Sequence, residues 1–333
     1  MIAVIGGAGY IGSHTVKYLI EQEEQVVVFD KLSTGHREFV PLNIPFIEGD
    51  LGNQDNLDNL FKSYPEIHTV IHFAAFANVG ESVNHPAKYY QNNVVNTIRL
   101  LDTMIKYKVK NIVFSSTCAT YGEPLFLPLT EDHPQNPINP YGKTKLMIEQ
   151  TMEDYSVAYG LKYAALRYFN AAGASEDATI GEWHEPETHL IPLVLDVAIG
   201  RREYISVYGS DFDTPDGTCI RDYIHVIDLA DAHYKAMNYL IEVNQNLKLN
   251  LGNGEGFTVL EIIHEVEKVT GKSIEKKIVD RRAGDPARLI GSSRKAEELI
   301  GWTPQYKLEQ IIETAWGWHK EQFGKIINVP LSQ

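Results

Sequence analysis

A tyrosine and a lysine stand four apart in Tyr141-Gly142-Lys143-Thr144-Lys145, just behind Pro140. Proline suits the first position of a helix, and on a helix these two side chains share one face about a turn apart. Of the eighteen tyrosines in the chain, only Tyr141 has a lysine at this spacing. The pair suits acid–base chemistry. Free tyrosine titrates near ~10, so a base working near pH 7 needs a drop of ~3 units, about 4 kcal/mol. One cation ~6 Å away contributes roughly 3 kcal/mol at an effective dielectric of 20. Lys145 alone falls short, and a second positive charge is needed. Thr117 follows Ser115-Ser116 at the end of an apolar run and adds a hydroxyl that shares a proton with Tyr141 or orients a substrate.

The start of the chain supplies a source for that charge. Gly6 to Gly12 read Gly-Gly-Ala-Gly-Tyr-Ile-Gly, directly after Ile2-Ala3-Val4-Ile5. They fit both G-x-G-x-x-G and G-x-x-G-x-x-G. Glycines there allow a tight reversal, close approach of a pyrophosphate and close packing of the next helix, whose N-terminus attracts anions. Asp30 ends the following Val26–Phe29 run, about 20 residues on, placed to accept from a ribose 2′-OH and to repel a 2′-phosphate. The pair points to NAD rather than NADP. Asp50, after Pro45-Phe46-Ile47, reads either as the same device near the adenine or as a turn residue. An oxidised nicotinamide then provides the missing positive charge. Loss of that charge on reduction would switch Tyr141 from base to acid.

Composition narrows the class. The chain has 333 residues, 44% hydrophobic and 22% charged, with a net charge of −14. This is ordinary for one large or two smaller globular units. The acidic balance argues against nucleic acid and against an anionic membrane surface. A phosphate-bearing substrate would need a local basic pocket. Cys118 and Cys219 give no disulfide framework, and no His, Cys or carboxylate spacing reads as a metal site. No apolar run reaches the ~18 residues of a membrane span, and the chain opens on a strand pattern rather than a leader, so a cytoplasmic setting is expected.

Elements alternate through the first half. Strand patterns at 45–47, 69–74, 111–115 and 163–167 are interleaved with helices near 54–62, 86–107 and 141–159. This predicts an α/β fold, a Rossmann-type doubly wound parallel sheet whose ligands lie at the carboxyl ends of the strands. From about Asn170 the loops lengthen, and helices are expected at 190–200, 228–241, 259–270 and 305–318. The expected division is residues 1–169 as an NAD-binding domain and 170–333 as a smaller α+β substrate-binding domain. The boundary is soft, because the 228–241 helix could pack on the first unit. The 86–107 helix is apolar on more than one side, as a domain contact or a dimer interface requires. His72 reads as a structural, hydrogen-bonded histidine.

Longer motifs carry a resemblance over essentially the whole chain. They are GGAGYIGSH at the start, HFAAFANVGESV from His72, YYQNNV from Tyr89, FSSTCATYGEP from Phe114, NPYGKTKLMIE from Asn139, LRYFNAAGA from Leu166, RDYIHVIDLAD from Arg221 and RRAGDPA from Arg281. The chain resembles the extended short-chain dehydrogenase/reductase superfamily, and within it the UDP-glucose 4-epimerase family. The resemblance implies reversible C4 epimerisation of a UDP-hexose through a 4-keto intermediate, with tightly held NAD and a homodimeric assembly. It casts Tyr141 as base, Lys145 as its partner and ribose contact, and Thr117 as the hydroxyl at the sugar 4-position. Gly6, Gly9, Tyr10, Ile11, Asp30, Asp50, Leu51, Phe73, Ala74, Asn92, Ser115 and Phe169 would line the cofactor. Asn170, Leu190, Tyr208, Arg221, Arg282 and Asp285 would hold the UDP-sugar, with Arg221 and Arg282 as the local basic groups.

Three departures from the family pattern stand out. Many relatives carry Ser where Thr117 stands, and Thr keeps the hydroxyl. Some place a lysine on the cofactor near Ala77, and that charge is missing here. Leu289 aligns with a position where a bulky aromatic excludes N-acetylated sugars; Leu is intermediate, which leaves UDP-N-acetylglucosamine open as a substrate. Nucleotide-sugar 4,6-dehydratases carry an acidic pair directly after the catalytic Thr, whereas Cys118 and Ala119 follow Thr117. A non-catalytic dinucleotide-sensing protein on the same fold would have no need to keep Tyr141, Lys145 and Thr117 together.

Overall fold

The computed structural model describes residues 1–282 and 285–327. Ala283 and Gly284 of the RRAGDPA motif, and residues 328–333 of the expected second domain, lie outside the described residues.

The first half builds β1 (Ile2–Ile5), α1 (Tyr10–Glu21), β2 (Val26–Asp30), β3 (Phe46–Glu48), α2 (Gln54–Ser63) and β4 (Thr69–His72). Then come α3 (Val79–Asn84), α4 (Pro86–Tyr89), a π-helical turn at Tyr90–Val95, α5 (Asn96–Lys106), β5 (Asn111–Thr117), α6 (Pro140–Tyr159) and β6 (Lys162–Tyr168). The strands are continuous apolar runs because both faces are covered. One core packs Val4, Val28 and Ile71 under α1, and the other packs Ala3, Phe29 and Val70 under Leu57, Leu101 and Met104.

The second half adds β7 (Asn170–Ala172), α7 (Leu190–Ile199), β8 (Ile205–Tyr208), β9 (Ile220–His225), α8 (Val226–Glu242) and β10 (Leu247–Leu251). β11 (Gly256–Thr258), α9 (Val259–Thr270), β12 (Lys276–Val279), β13 (Arg288–Leu289), α10 (Arg294–Ile300) and α11 (Leu308–Ile327) complete it. The main sheet is parallel, in the order β10-β6-β5-β4-β1-β2-β3. The order therefore reverses between β1 and β4, where a doubly wound sheet opens its crevice. The smaller half centres on β9, which pairs with β7, β11 and β13.

The chain returns to the first unit after residue 170. β10 pairs with β6, and α8 lies along α1, where the Tyr18 hydroxyl donates to Asp231 at 2.8 Å. The 86–107 helix is interrupted by the π-turn. The extra residue in such a turn rotates the helix beyond it, and it puts Asn92 toward the crevice and Asn93 beneath the loop after β4. The last helix starts at Leu308 rather than 305 and runs to Ile327.

Candidate active site

A cleft of about 490 Å³ runs along the carboxyl ends of the sheet strands into the smaller half. Its cofactor end begins at the glycine turn. Gly6 has φ +81°, and a Cβ there would lie 2.6 Å from the Ala74 nitrogen. A Cβ on Gly12 would lie 2.1 Å from the Gly6 oxygen. Gly9 caps α1, and no side chain satisfies the helix's first N–H groups. Open donors at a positive dipole end suit a pyrophosphate. Asp30 is held in place, with one carboxylate oxygen accepting from the Ala8 N–H at 2.9 Å and the other from the Leu32 N–H at 2.8 Å. Its spare lone pairs face the cleft beside Tyr10, Ile11, Asp50, Leu51, Phe73, Ala74 and Asn92. The residues present therefore fit a dinucleotide.

Sequence reasoning missed Lys31. Its ammonium donates to Asn92 Oδ1 at 2.9 Å, lies 3.7 Å from Asp50 Oδ2 and covers the Phe76 ring at 5.0 Å. Lys31 and Ala77 both line the cleft, so a cation stands there despite the missing lysine near Ala77. Replacing Asp30 by Asn is expected to weaken NAD retention about 10- to 100-fold, the worth of hydrogen bonds to a charged group. NAD content after gel filtration, with NADP as comparison, checks it.

The catalytic candidates meet where β5 and α6 face each other. Asn139 caps α6, its Oδ1 accepting from the Gly142 N–H at 2.8 Å. Glycine is required at 142 because a Cβ would sit 2.4 Å from the Ala119 oxygen. This close seat brings Tyr141 and Lys145 against Ser115 and Thr117. The Lys145 ammonium donates to the Ser115 carbonyl at 2.6 Å and lies 5.9 Å from the Tyr141 ring centre. Ser115 also hydrogen-bonds the Tyr168 hydroxyl. His72 sits below, its Nε2 2.9 Å from Thr97 Oγ1, and burial drops it to about 3, which keeps it neutral.

The electrostatics of the free chain differ from the expectation drawn from sequence. Burial pushes the Tyr141 phenol up to about 12, and a hydrogen bond with Thr117 only partly opposes this. Burial also pulls Lys145 down to about 7, against the pull of Glu149 one turn along. Desolvation thus outweighs the neighbouring amine, itself only partly charged at neutral pH. Stability depends on pH accordingly. Below pH 7 the unfolded and folded chains both carry the charge, at a burial cost to the fold. Between 7 and 10.5 the unfolded chain binds more protons, so this group's penalty fades as pH rises. Lys145→Met removes that dependence. The advantage of the cofactor-free variant over wild type in urea unfolding is expected to shrink by about 2 kcal/mol from pH 7 to pH 9.

At the far end Asn170 donates to the Asp222 carbonyl at 2.8 Å, and Leu190 opens α7. Arg221 is braced by the carbonyls of Ile220 and Pro286, at 2.9 and 2.8 Å, and by Asp285 at 3.3 Å. Phe169 and Leu289 form an apolar wall with Cys118, Tyr121 and Leu129. Of the residues named from sequence, two lie outside the cleft lining: Arg282 stacks on the Tyr208 ring at 3.8 Å instead. The structure adds Glu182, His184 and His189, from a segment that read only as a long loop. Their signal was the crowding of imidazoles and carboxylates in Glu182-Trp183-His184-Glu185-Pro186-Glu187-Thr188-His189.

Known proteins are similar to the chain over nearly its whole length. The chain is 54% identical to a UDP-glucose 4-epimerase of Halalkalibacterium halodurans over 96% of both chains. It belongs to the UDP-glucose 4-epimerase family. The crystal structure of UDP-glucose 4-epimerase from Brucella ovis in complex with NAD superposes with a TM-score of 0.92 at 51% identity, over 95% of this chain and 97% of that one. The enzyme from Bifidobacterium longum, solved with NAD+ and UDP, gives 0.91 at 36% identity over 96% and 98%. A family model described as GDP-mannose 4,6 dehydratase matches residues 3–315. The residues after Thr117 are Cys118 and Ala119, not the acidic pair expected of a dehydratase.

Proposed function

We propose that the chain is an NAD-dependent enzyme that inverts C4 of UDP-glucose and UDP-galactose. The observation that carries this is one continuous cleft. It joins the α1 N-terminus, whose first N–H groups no side chain satisfies, and Asp30 to the Thr117–Tyr141–Lys145 group and the braced Arg221. NAD, which the α1 N-terminus and Asp30 would hold, would supply reversible hydride chemistry at the sugar C4 and, while oxidised, a positive charge in the cleft. Tyr141 removes and restores the 4-OH proton. Thr117 hydrogen-bonds the phenol and holds it toward that oxygen. Lys145, anchored on the Ser115 carbonyl, orders the ribose side. Arg221, with Asn170 and Asp285 around it, grips the diphosphate, since a guanidinium fork suits phosphate oxygens. The hexose must be held loosely enough to turn over between the two hydride transfers.

On this reading residues 1–169 hold NAD and 170–333 hold the UDP-sugar, with α8 and β10 serving the first unit. A homodimer in the cytoplasm is part of the proposal. Exposed Val79, Val83 and Met147 on α3 and α6 support the dimer, and light scattering tests it. No described helix is long and apolar enough to cross a membrane. Incubation of the purified protein with UDP-galactose, without added cofactor, is expected to give UDP-glucose. A parallel arm with UDP-N-acetylgalactosamine reads how far Leu289 widens the pocket, and one with UDP-xylose reads whether the C6 hydroxymethyl group is needed. A folded, NAD-loaded sample that leaves UDP-galactose unchanged would overturn the assignment.

A further inference from the structure

We propose that Glu182, His184, Glu187 and His189 form a zinc-type divalent metal site at the rim of the cleft, with a structural rather than catalytic role. The four fall within eight residues between Ile180 and α7. One ligand atom from each lies within 4.8 Å of all the others. His184 Nδ1 is 3.6 Å from Glu182 Oε1 and 3.4 Å from Glu187 Oε2, and His189 Nδ1 is 3.8 Å from Glu187 Oε1. A tetrahedral site with bonds of about 2.0–2.1 Å has edges of about 3.3 Å. The group is thus near the size of a closed four-ligand shell before any ion draws it in.

Charge points the same way. The Glu182 carboxylate is buried, and among the described residues its partners are the two imidazoles, with no lysine, arginine or backbone N–H. A second carboxylate, Glu187, faces the same imidazoles. Glu182 is buried and Glu187 partly buried, so the pair favours a compensating cation. Two imidazoles with two carboxylates match zinc better than magnesium, which prefers oxygen ligands and water.

Surrounding contacts fix the ligands as an outer shell does. Glu187 Oε1 accepts from the Thr188 and His189 N–H groups at 2.7 and 2.9 Å. The Tyr10 ring stands edge-on to His184 at 6.3 Å. Trp183, between two of the ligands, stacks on His36 at 4.1 Å and packs with the Phe39 and Phe323 cluster, which holds the loop turned. The half-exposed His189 ring leaves an access route. Because His189 directly precedes Leu190 at the head of α7, a bound ion would tie this loop to the substrate end of the cleft.

The test uses the full-length, NAD-loaded protein after chelator treatment, titrated with Zn2+ against a chromophoric competitor. A single tight equivalent is expected. Co2+ in its place should give the intense visible bands of a tetrahedral site. A His184→Ala, Glu187→Gln double variant, checked for folding by circular dichroism and for NAD content, should weaken Zn2+ binding by about 100-fold or more. Equal zinc affinity in the two proteins, or no stoichiometric binding to wild type, would overturn the proposal and leave the four as an ion-paired cluster. Neither result depends on epimerase activity.

Discussion

Tyr141→Phe is expected to lower kcat for UDP-galactose turnover by roughly 10²- to 10⁴-fold, the range for loss of a positioned acid–base group. The ring stays, so packing against Lys145 and the cofactor side of the cleft stays with it. NAD content and melting temperature should match wild type. The size of the effect reflects the burial of the phenol. In the free chain it sits at about 12, and reaching 7 takes about 5 units, or about 7 kcal/mol. Sequence reasoning asked for only about 4 kcal/mol, because it left out desolvation. A single cation ~6 Å away contributes roughly 3 kcal/mol at an effective dielectric of 20, so the chain's own lysine cannot complete the shift. Steady-state assays of UDP-glucose formation check the prediction. Turnover within tenfold of wild type in a folded, NAD-loaded variant would remove Tyr141 from its role.

The second large effect concerns stability. Arg167→Met is expected to cost about 3–5 kcal/mol, because it strands Glu149 as a buried, unpaired carboxylate. Both side chains are almost fully buried, with Arg167 Nη2 2.6 Å from Glu149 Oε2 and Nε 3.0 Å from Oε1. Arg167 Nη1 also donates to the Tyr121 hydroxyl at 2.9 Å, which in turn donates to Asn250 Oδ1 at 2.6 Å. The network therefore ties α6, β6, β10 and the turn after β5 together, on the α6 face that carries Tyr141 and Lys145. Thermal unfolding should shift down by roughly 4–7 °C for a chain of this size. A Glu149→Gln, Arg167→Met double variant should regain part of the loss, since no charge is then left unpaired. If the double variant is no more stable than the single one, the cost lies in packing rather than in the stranded charge.

Local chemistry made much of this protein legible from its residues in order. The glycine turn needs a backbone that only glycine allows, and Asp30 comes after it at the distance that one helix and one strand require. Tyr141 and Lys145 share a helix face by spacing alone. The parallel sheet is implied by apolar runs alternating with amphipathic helices, since both faces must be covered.

Other features depend on partners far away in sequence. The π-turn at Tyr90–Val95 exists because Asn93 is bonded to the backbone of Phe76. Propensity sees only neighbours and reads one unbroken helix there. β10 reads as a short apolar run of the second half, yet it closes the first sheet because β6 offers it an unpaired edge. Tyr208 and Arg282 have the residue types of a substrate site, but they stack on each other outside the cleft lining. Glu182, His184, Glu187 and His189 are close in sequence, but convergence of their ligand atoms depends on Trp183 being held by His36 and Phe39. Spacing sets which side chains can share a face, because bond geometry is local. Burial and long-range contacts set what charge those side chains carry and what they meet, because desolvation and packing belong to the whole folded chain.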